Sequence, residues 1–266
     1  MKNLPHIISI VASFIVQRAK MSMAYRFDFF ISTVSTIAFG VMNISLLYAI
    51  CSRIPTLLGW SFDELLLIYG LGELNFGIFS TLFSFVHILP SHYIVDGKLD
   101  QNLLRPVPTY LQLAAEGFNF KDVIIVAKGI GIVIYAAIHL PLSFSALQLL
   151  TVPILCLSAA AIYASVFTIF ASFSFWVMDR TGFFAPLFPI SDFSRFPLPI
   201  YPLGIRLFLT WLIPFAFVAF YPATVLLDRG EFLTMAGIAP LVALFFVLIA
   251  SRVWKAGLAR YESTGT

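Results

Sequence analysis

The chain has 266 residues, of which 60% are hydrophobic and 11% are charged. A soluble domain carries about 25% charged residues, so this composition excludes a globule covered by polar surface and predicts a membrane protein. The net charge of +3 is small and resides in loops, so no nucleic-acid partner is expected. No internal repeat or low-complexity tract divides the sequence, and residues 1–266 are assigned to one transmembrane domain with an all-α fold.

The first apolar stretch is predicted to be an interfacial helix over residues 5–26. A signal peptide is disfavoured, because Gln17, Arg18 and Lys20 stand where small residues are expected at a cleavage site. The apolar residues follow helical spacing along one face, as expected for a helix lying in the membrane surface. That face comprises Ile7, Ile8, Val11, Phe14 and Ile15.

Six further segments are long and apolar enough to cross the hydrocarbon core of a bilayer, which takes about 20 apolar residues. Pro90 is expected to end the second of them. Asn119, with Asp122 three residues later, resembles a cap for the third. Pro214 and Pro222 are expected to kink or break the fifth. The predicted spans are about 29–50, 65–89, 121–140, 149–177, 203–226 and 233–251.

The connection between the fourth and fifth spans, residues 178–202, is rich in proline. Its prolines exclude a long helix, and its phenylalanines suggest a segment that lies in the membrane interface. They are Pro186, Pro189, Pro197, Pro199 and Pro202.

The distribution of basic residues predicts the orientation of the spans. With the N-terminus in the cytoplasm, all but Arg53 and Arg229 of the sixteen Lys and Arg residues fall on the cytoplasmic side. This count places Lys128, Arg195 and Arg206 with the cytoplasmic segments. The positive-inside rule therefore favours six spans with both termini in the cytoplasm.

The longest charged interruption lies between the second and third spans. Residues 97–106 are predicted to form a short amphipathic helix there, capped by Asp96 and stopped by Pro106, and residues 109–116 a second one, ended by Gly117. A short helix at a membrane surface is suited to receive force from a soluble partner. Its apolar side comprises Leu99, Leu103 and Leu104, and its solvated side comprises Lys98, Asp100, Gln101 and Arg105.

Two polar residues, Glu73 and Asn75, lie inside the second span. A carboxylate within a membrane is costly, so it indicates either a transport pathway or a polar contact that holds the bundle together, with Lys128 as one possible partner. Position in the sequence does not separate these alternatives. Three glycines on the same span are expected to let another helix approach closely: Gly70, Gly72 and Gly77.

The sequence contains no nucleotide-binding motif. Gly72 and Gly77 have the glycine spacing of a P-loop, but Ile78 occupies the lysine position and the context is a membrane helix. If the protein works with ATP, another chain must bind it, and no cofactor is expected on this one.

No catalytic or metal-binding residue is predicted. His87, His92 and Asp96 are the only cluster that suggests a metal, and on a helix an i, i+5 pair diverges by about 140°. An integral-membrane enzyme acting on a lipid-linked substrate would need a polar catalytic cluster, and no better one is present. That class, and a passive scaffold or channel, remain as alternatives.

Three motifs, in this order and on six spans, resemble the permease subunits of bacterial ABC transporters of the type-2 exporter superfamily. They are most similar to its branch of six-span ABC-type permeases. The resemblance covers nearly the whole chain. The motifs are Gly97-x-Leu99-Asp100-x-x-Leu103-x-Arg105-Pro106, then Phe196-Pro197-Leu198-Pro199-Ile200-Tyr201-Pro202, and finally Pro214 with Phe220-Tyr221-Pro222-Ala223.

The resemblance implies a transmembrane permease in the bacterial cytoplasmic membrane, surrounded by lipid and expected to export a substrate that the sequence does not identify. Such a subunit pairs with a second permease, as a homodimer or a heterodimer, and binds a separate cytoplasmic ATPase dimer that holds ATP and Mg²⁺. The helix between the second and third spans docks in a groove of that ATPase. The implied coupling residues are Gly97, Lys98, Leu99, Asp100, Leu103, Leu104, Arg105 and Pro106.

Overall fold

The computed structural model describes residues 12–20, 25–54, 56–142, 145–177, 183 and 185–262. Within these residues the chain is helical, with no β-strand apart from an isolated bridge between Leu57 and Trp60. Five helices are long and apolar enough to cross a membrane, or six if the bent pair Leu203–Leu212 and Phe215–Leu226 forms one span. The predicted all-α polytopic fold is confirmed.

The α-helices of the described residues have the following bounds. They are α1 (residues 12–20), α2 (Arg26–Cys51), α3 (Phe62–Phe83), α4 (Phe85–Ile88), α5 (Leu99–Leu103), α6 (Thr109–Glu116), α7 (Val123–His139), α8 (Ala146–Ser172), α9 (Ser174–Val177), α10 (Leu187–Asp192), α11 (Leu203–Leu207), α12 (Phe220–Leu226), α13 (Leu233–Gly237) and α14 (Ala239–Leu258).

The predicted interfacial helix is described over residues 12–20 alone, since residues 1–11 and 21–24 lie outside the described part of the chain. Its predicted last residue, Arg26, instead begins α2. The position of this helix in a membrane surface therefore stays a prediction.

Helix α3 begins with a capping box. The Ser61 hydroxyl accepts a hydrogen bond from the Glu64 backbone N–H, and the Glu64 carboxylate accepts one from the Ser61 N–H at 2.8 Å. The helix ends at Phe83, and Pro90, which was expected to end this span, instead lies within a π-helical turn over Leu89–Val95. Proline is tolerated there because it stands at the start of the turn, where its missing N–H costs no hydrogen bond.

Helix α3 is the centre of the bundle and α2 lies at its edge. In the most apolar window of each, 78% of α3 residues are buried but only 11% of α2 residues. A Cβ added at Gly70 would lie 2.9 Å from the Ile132 side chain, and one at Gly77 would lie 2.7 Å from the Val126 backbone nitrogen. Gly70 and Gly77 therefore bring α7 into close contact, as predicted, whereas a Cβ at Gly72 would lie 2.8 Å from the Arg195 side chain.

The fifth span is broken rather than continuous. Its halves Leu203–Leu212 and Phe215–Leu226 meet at 78°, and Ile213 and Pro214 form the break, which is buried. The backbone near the break finds partners inside the protein, including a bond from the Ile213 N–H to the Phe208 carbonyl at 2.9 Å. Broken helices in membrane proteins depend on such internal partners.

In its described residues, 183 and 185–202, the proline-rich segment contains only short helical pieces, as predicted: α10 and the 3₁₀ turns Phe193–Arg195 and Leu198–Ile200. It enters the bundle, since Ser191 and Ser194 are buried and the Ser194 hydroxyl lies 3.1 Å from the Tyr163 hydroxyl of α8. A segment expected near the surface therefore packs into the helical core.

Candidate functional site

The predicted amphipathic helix of residues 97–106 is shorter in the structure. Helix α5 spans Leu99–Leu103 only, and its N-cap position is Lys98, with no side-chain cap. The helix start expected at Asp96 lies instead at Lys98, and Gly97, with a left-handed φ of +69°, turns the chain between Asp96 and the helix. The end at Leu103 precedes Arg105, the residue that Pro106 keeps out of the helical conformation.

The three leucines of this helix do not share one environment. Leu99 is fully buried in the protein, whereas Leu103 is 43% exposed and Leu104 is 87% exposed. The expectation that Leu99 faces a partner is therefore wrong, since it anchors α5 to the bundle. Among the residues expected in water, Lys98, Gln101 and Arg105 are exposed and Asp100 is half-buried.

The side chain of Glu116 joins α5 to α6. Its carboxylate accepts hydrogen bonds from Asn102 Nδ2 at 2.8 Å and from Gln112 Nε2 at 3.1 Å. It also forms an ion pair with Arg105 Nη1 at 2.6 Å. Asn102 and Gln112 are buried, so the carboxylate fixes α5 against α6 from within. The sequence analysis missed this residue, although it is the one acidic residue in the predicted amphipathic stretch 109–116.

One cation–π contact and one electrostatic interaction link this helix pair to other parts of the chain. The Arg105 guanidinium lies 5.6 Å from the ring centroid of Phe14 on α1. Burial, together with the nearby Glu116 carboxylate, raises the pKa of Tyr93 to about 12, with Arg18 opposing the shift. Residues of α1, of α6 and of the π-helical turn that precedes α5 therefore share one electrostatic environment.

Helix α6 is packed against the ends of the spans. The Tyr110 ring lies 5.1 Å from Phe85 and 5.3 Å from Trp254 of α14, measured between centroids. The Ser84 hydroxyl, just after α3, donates to the Gly117 carbonyl at the end of α6. These contacts join α6 directly to the segment that follows α3.

The predicted cap of the third span is confirmed. The Asn119 side chain accepts a hydrogen bond from the Lys121 N–H at 3.2 Å, and its amide donates to Asp122 at 3.0 Å. The Ser80 hydroxyl of α3 also donates to Asp122, and Lys121 pairs with Asp28 at the start of α2. The starts of α2 and α7 therefore lie at the same end of the bundle as α5 and α6.

The intramembrane carboxylate predicted in the second span is paired. Glu73, whose side chain is 4% exposed, lies 2.6 Å from Lys128 Nζ and 2.9 Å from Arg195 Nη1. Arg195 also pairs with Asp192 at 3.1 Å. We call these four residues the ion-pair cluster. Lys128 was the partner suggested by the sequence, whereas Arg195 was missed.

Two basic residues that were assigned to the cytoplasmic side, Lys128 and Arg195, belong to the ion-pair cluster. Glu73 is near the middle of α3, so Lys128 and Arg195 lie deep in the bundle rather than in cytoplasmic loops. The burial is tolerable because two acids balance two bases, and an isolated charge at this depth would be costly.

Asn75, the second polar residue predicted on α3, supports the broken fifth span. Its Nδ2 donates to the Val218 carbonyl at 2.6 Å, and the Asn75 side chain is fully buried. Val218 follows the break at Pro214 by four residues, where the backbone is not yet regular helix. An amide at this position satisfies a carbonyl that helix geometry leaves free.

His87 and His92 lie in separate aromatic surroundings. The His87 ring packs among the rings of Phe79, Phe167 and Phe188, with centroids 5.7, 5.7 and 5.0 Å away. His92 instead stacks edge-on with its neighbour Tyr93. Among the residues that the structure describes, no group of three or more His, Cys, Asp or Glu side chains could hold a metal ion.

Comparison with known proteins gives one match. The family model described as "ABC-2 family transporter protein" matches residues 37–265, which include α5 and α6, the ion-pair cluster and the broken fifth span. No curated protein and no solved structure matches the chain.

Proposed function

This chain belongs to the ABC-2 transporter family, and from that premise we propose that it is a permease subunit driven by a separate cytoplasmic ATPase. Its place in the family makes it a multi-pass membrane component of an ABC transporter rather than an enzyme in its own right. ATP and Mg²⁺ would be bound by the ATPase, and transport would run in the export direction. A second permease, identical or homologous, would complete the substrate pathway.

The exposure of Leu103 and Leu104 is the observation that carries this proposal. Both are large apolar side chains, Leu103 at the end of α5 and Leu104 directly after it, and Leu104 is 87% exposed. Apolar side chains that a rigid neighbour holds in place are typical anchors of protein interfaces. Leu99, buried beneath them, and Glu116, bound to Arg105, supply that rigidity.

The proposed mechanism is a mechanical transfer from the ATPase to the spans. ATP-driven closure of the ATPase dimer pushes on α5 through Leu103 and Leu104. Glu116 passes the displacement to α6, and the Ser84–Gly117 contact passes it to α3. Because α3 and α7 pack through glycines, they move together and open a path between two permeases.

The charges at the two ends of the bundle support an orientation with α5 in the cytoplasm of a bacterium. Arg229, predicted outside, lies at the other end of α3, where its Nη2 is 2.6 Å from Glu64 and its guanidinium is 4.7 Å from the Trp60 ring centroid. Lys98, Arg105 and the C-terminal basic residues then face the cytoplasm, as the positive-inside rule requires.

The test is a double substitution, Leu103→Asp with Leu104→Asp, in the permease reconstituted with the ATPase that co-purifies with it. Burying two leucines contributes about 3–6 kcal/mol, so we expect the affinity for the ATPase to fall by about 100-fold or more and ATP-driven transport to stop. The matched control is Leu58→Asp, an exposed leucine at the opposite end of the bundle. Unchanged ATPase binding and transport in the double variant would refute the proposal.

A further inference from the structure

A cavity of about 540 Å³ lies between α2, α3 and the segment that carries Arg195. We call it the aromatic cavity. Its volume lies within the range of small-molecule sites, which is about 300–1,000 Å³. Its described walls combine aliphatic side chains of α2 with five aromatic rings, from Phe39, Tyr69, Phe76, Phe188 and Phe196.

Two charged side chains line this cavity, Asp192 and Arg195, and the acid is the more exposed of the two. The Glu73 side chain is 4% exposed and is bound on both sides by the bases of the ion-pair cluster, Lys128 and Arg195. The Asp192 side chain, in contrast, is 60% exposed and lines the cavity. A ligand in the cavity therefore meets an accessible carboxylate beside the Arg195 guanidinium, whose side chain is 15% exposed and already paired with Glu73 and Asp192.

Two of the rings that line this cavity contact a cation of the protein itself. The Arg195 guanidinium already lies 5.9 Å from the Tyr69 centroid and 5.6 Å from the Phe76 centroid. The faces of aromatic rings attract positive charge, and the attraction is stronger away from water. The Asp192 carboxylate would repel an anion, and it would add no attraction for a neutral lipid chain.

We propose that the aromatic cavity binds a hydrophobic organic cation, with its charge against Asp192 and its apolar groups against the surrounding rings. The proposal rests on the proposed function only in that the bound cation would be the transported substrate. Binding itself requires the permease alone.

A second cavity in the same protein provides the comparison. It encloses about 360 Å³, and Asp228 is the carboxylate among its lining residues, which are otherwise mostly aliphatic and include no aromatic ring. It offers a negative charge without aromatic walls. Substitution of Asp228 therefore tests whether any carboxylate near an apolar cavity is enough.

The experiment measures binding of tetraphenylphosphonium to the full-length permease in lipid nanodiscs, with empty nanodiscs subtracted. Tetraphenylborate, which has the same shape and the opposite charge, is the matched ligand. We expect saturable binding of the cation and none of the anion. Asp192→Asn should weaken binding of the cation by about tenfold or more, and Asp228→Asn should leave it unchanged.

A second pair of variants tests the aromatic wall without touching the ion-pair cluster. Phe39 lines the cavity, whereas Phe30 lies on the same helix outside it, and both are exposed. Phe39→Leu should weaken cation binding by about threefold to tenfold, and Phe30→Leu should not. Thermal unfolding of each variant identifies any loss that comes from misfolding.

Three outcomes would overturn this inference. They are equal binding of tetraphenylborate, loss of binding in Asp228→Asn but not in Asp192→Asn, and no binding because a second copy of the chain fills the cavity. None of them affects ATPase coupling through Leu103 and Leu104. Conversely, the Leu103→Asp, Leu104→Asp variant should still bind the cation, which separates failure of this inference from failure of the proposed function.

Discussion

The Glu73 carboxylate on α3 lies 2.6 Å from Lys128 Nζ on α7, and their side chains are 4% and 15% exposed. Arg195 approaches the other carboxylate oxygen at 2.9 Å from a segment more than a hundred residues away in the sequence. One acidic residue thus joins three parts of the chain at the middle of the bundle.

Glu73→Gln is expected to destabilise the bundle strongly. The substitution leaves two buried cations facing a neutral amide, and loss of one partner from a buried ion pair costs about 3–5 kcal/mol. The melting temperature of the purified permease in detergent measures the effect. Glu231→Gln, an exposed acid on a loop, is the control and should change stability by less than about 0.5 kcal/mol.

The double variant Glu73→Gln with Lys128→Gln separates charge from shape. It removes one acid and one base together, and Arg195 keeps Asp192 as its partner. Because the two sites are in contact, their effects should not add, and the double variant should be more stable than the sum of the single changes implies. Simple additivity would show that the buried pair contributes nothing specific.

Gly77→Ala tests the contact between α3 and α7. The new Cβ would lie 2.7 Å from the Val126 backbone nitrogen, and backbone cannot move aside as a flexible side chain can. We expect a loss of about 1–3 kcal/mol, measured by thermal unfolding. Gly131→Ala on α7 is the control, because nothing lies within 4 Å of its Cβ position, and it should be neutral or gain up to about 1 kcal/mol. Equal behaviour of the two variants would contradict close packing at Gly77.

Local sequence rules predicted the spans, the helix ends and the helix break, which depend on residues close together in the chain. Apolar length located the spans, Asn119 located the start of the third, and Gly117 the end of α6. The break near Pro214 was also predicted, because proline removes a helical hydrogen bond wherever it stands. These features need only the identity of a few adjacent residues.

Contacts between distant segments could not be predicted in this way. Helical periodicity placed Leu99, Leu103 and Leu104 on one side, but which of them is covered depends on the spans that pack beneath α5. Arg195 was counted as cytoplasmic because the positive-inside rule follows chain order and does not detect a segment that enters the bundle. For the same reason only one of the two bases that pair with Glu73 was predicted. Lys128 lies on the next span, whereas Arg195 lies on a distant segment.

Asn75→Leu tests how the broken fifth span is stabilised. The substitution removes the donor to the Val218 carbonyl and leaves that carbonyl buried without its 2.6 Å partner. An unsatisfied buried group costs about 1–3 kcal/mol, so thermal stability should fall accordingly. Asn43→Leu is the control, since its amide bonds only the Phe39 carbonyl of its own helix at an exposed site. A stable Asn75→Leu variant would mean that another donor satisfies the break.

Glu116→Ala is expected to loosen α5 without unfolding the bundle. The carboxylate accepts from Asn102, Arg105 and Gln112, so its loss frees the surface helix while Leu99 still anchors one side. If about 1–2 kcal/mol of local stability is lost, amide exchange over residues 99–103 should rise by about 5–30-fold. Hydrogen–deuterium exchange with peptide mapping measures this directly.

The control for that measurement is Gln101→Ala, an exposed residue on the same helix. It should leave exchange over residues 99–103 unchanged, because the side chain faces solvent. Exchange in α3 should also stay unchanged in Glu116→Ala, since the Ser84–Gly117 contact does not involve the carboxylate. If amide exchange over residues 99–103 is the same in Glu116→Ala and Gln101→Ala, then Leu99 alone holds α5 in place. In that case Glu116 does not transmit force from α5 to α6.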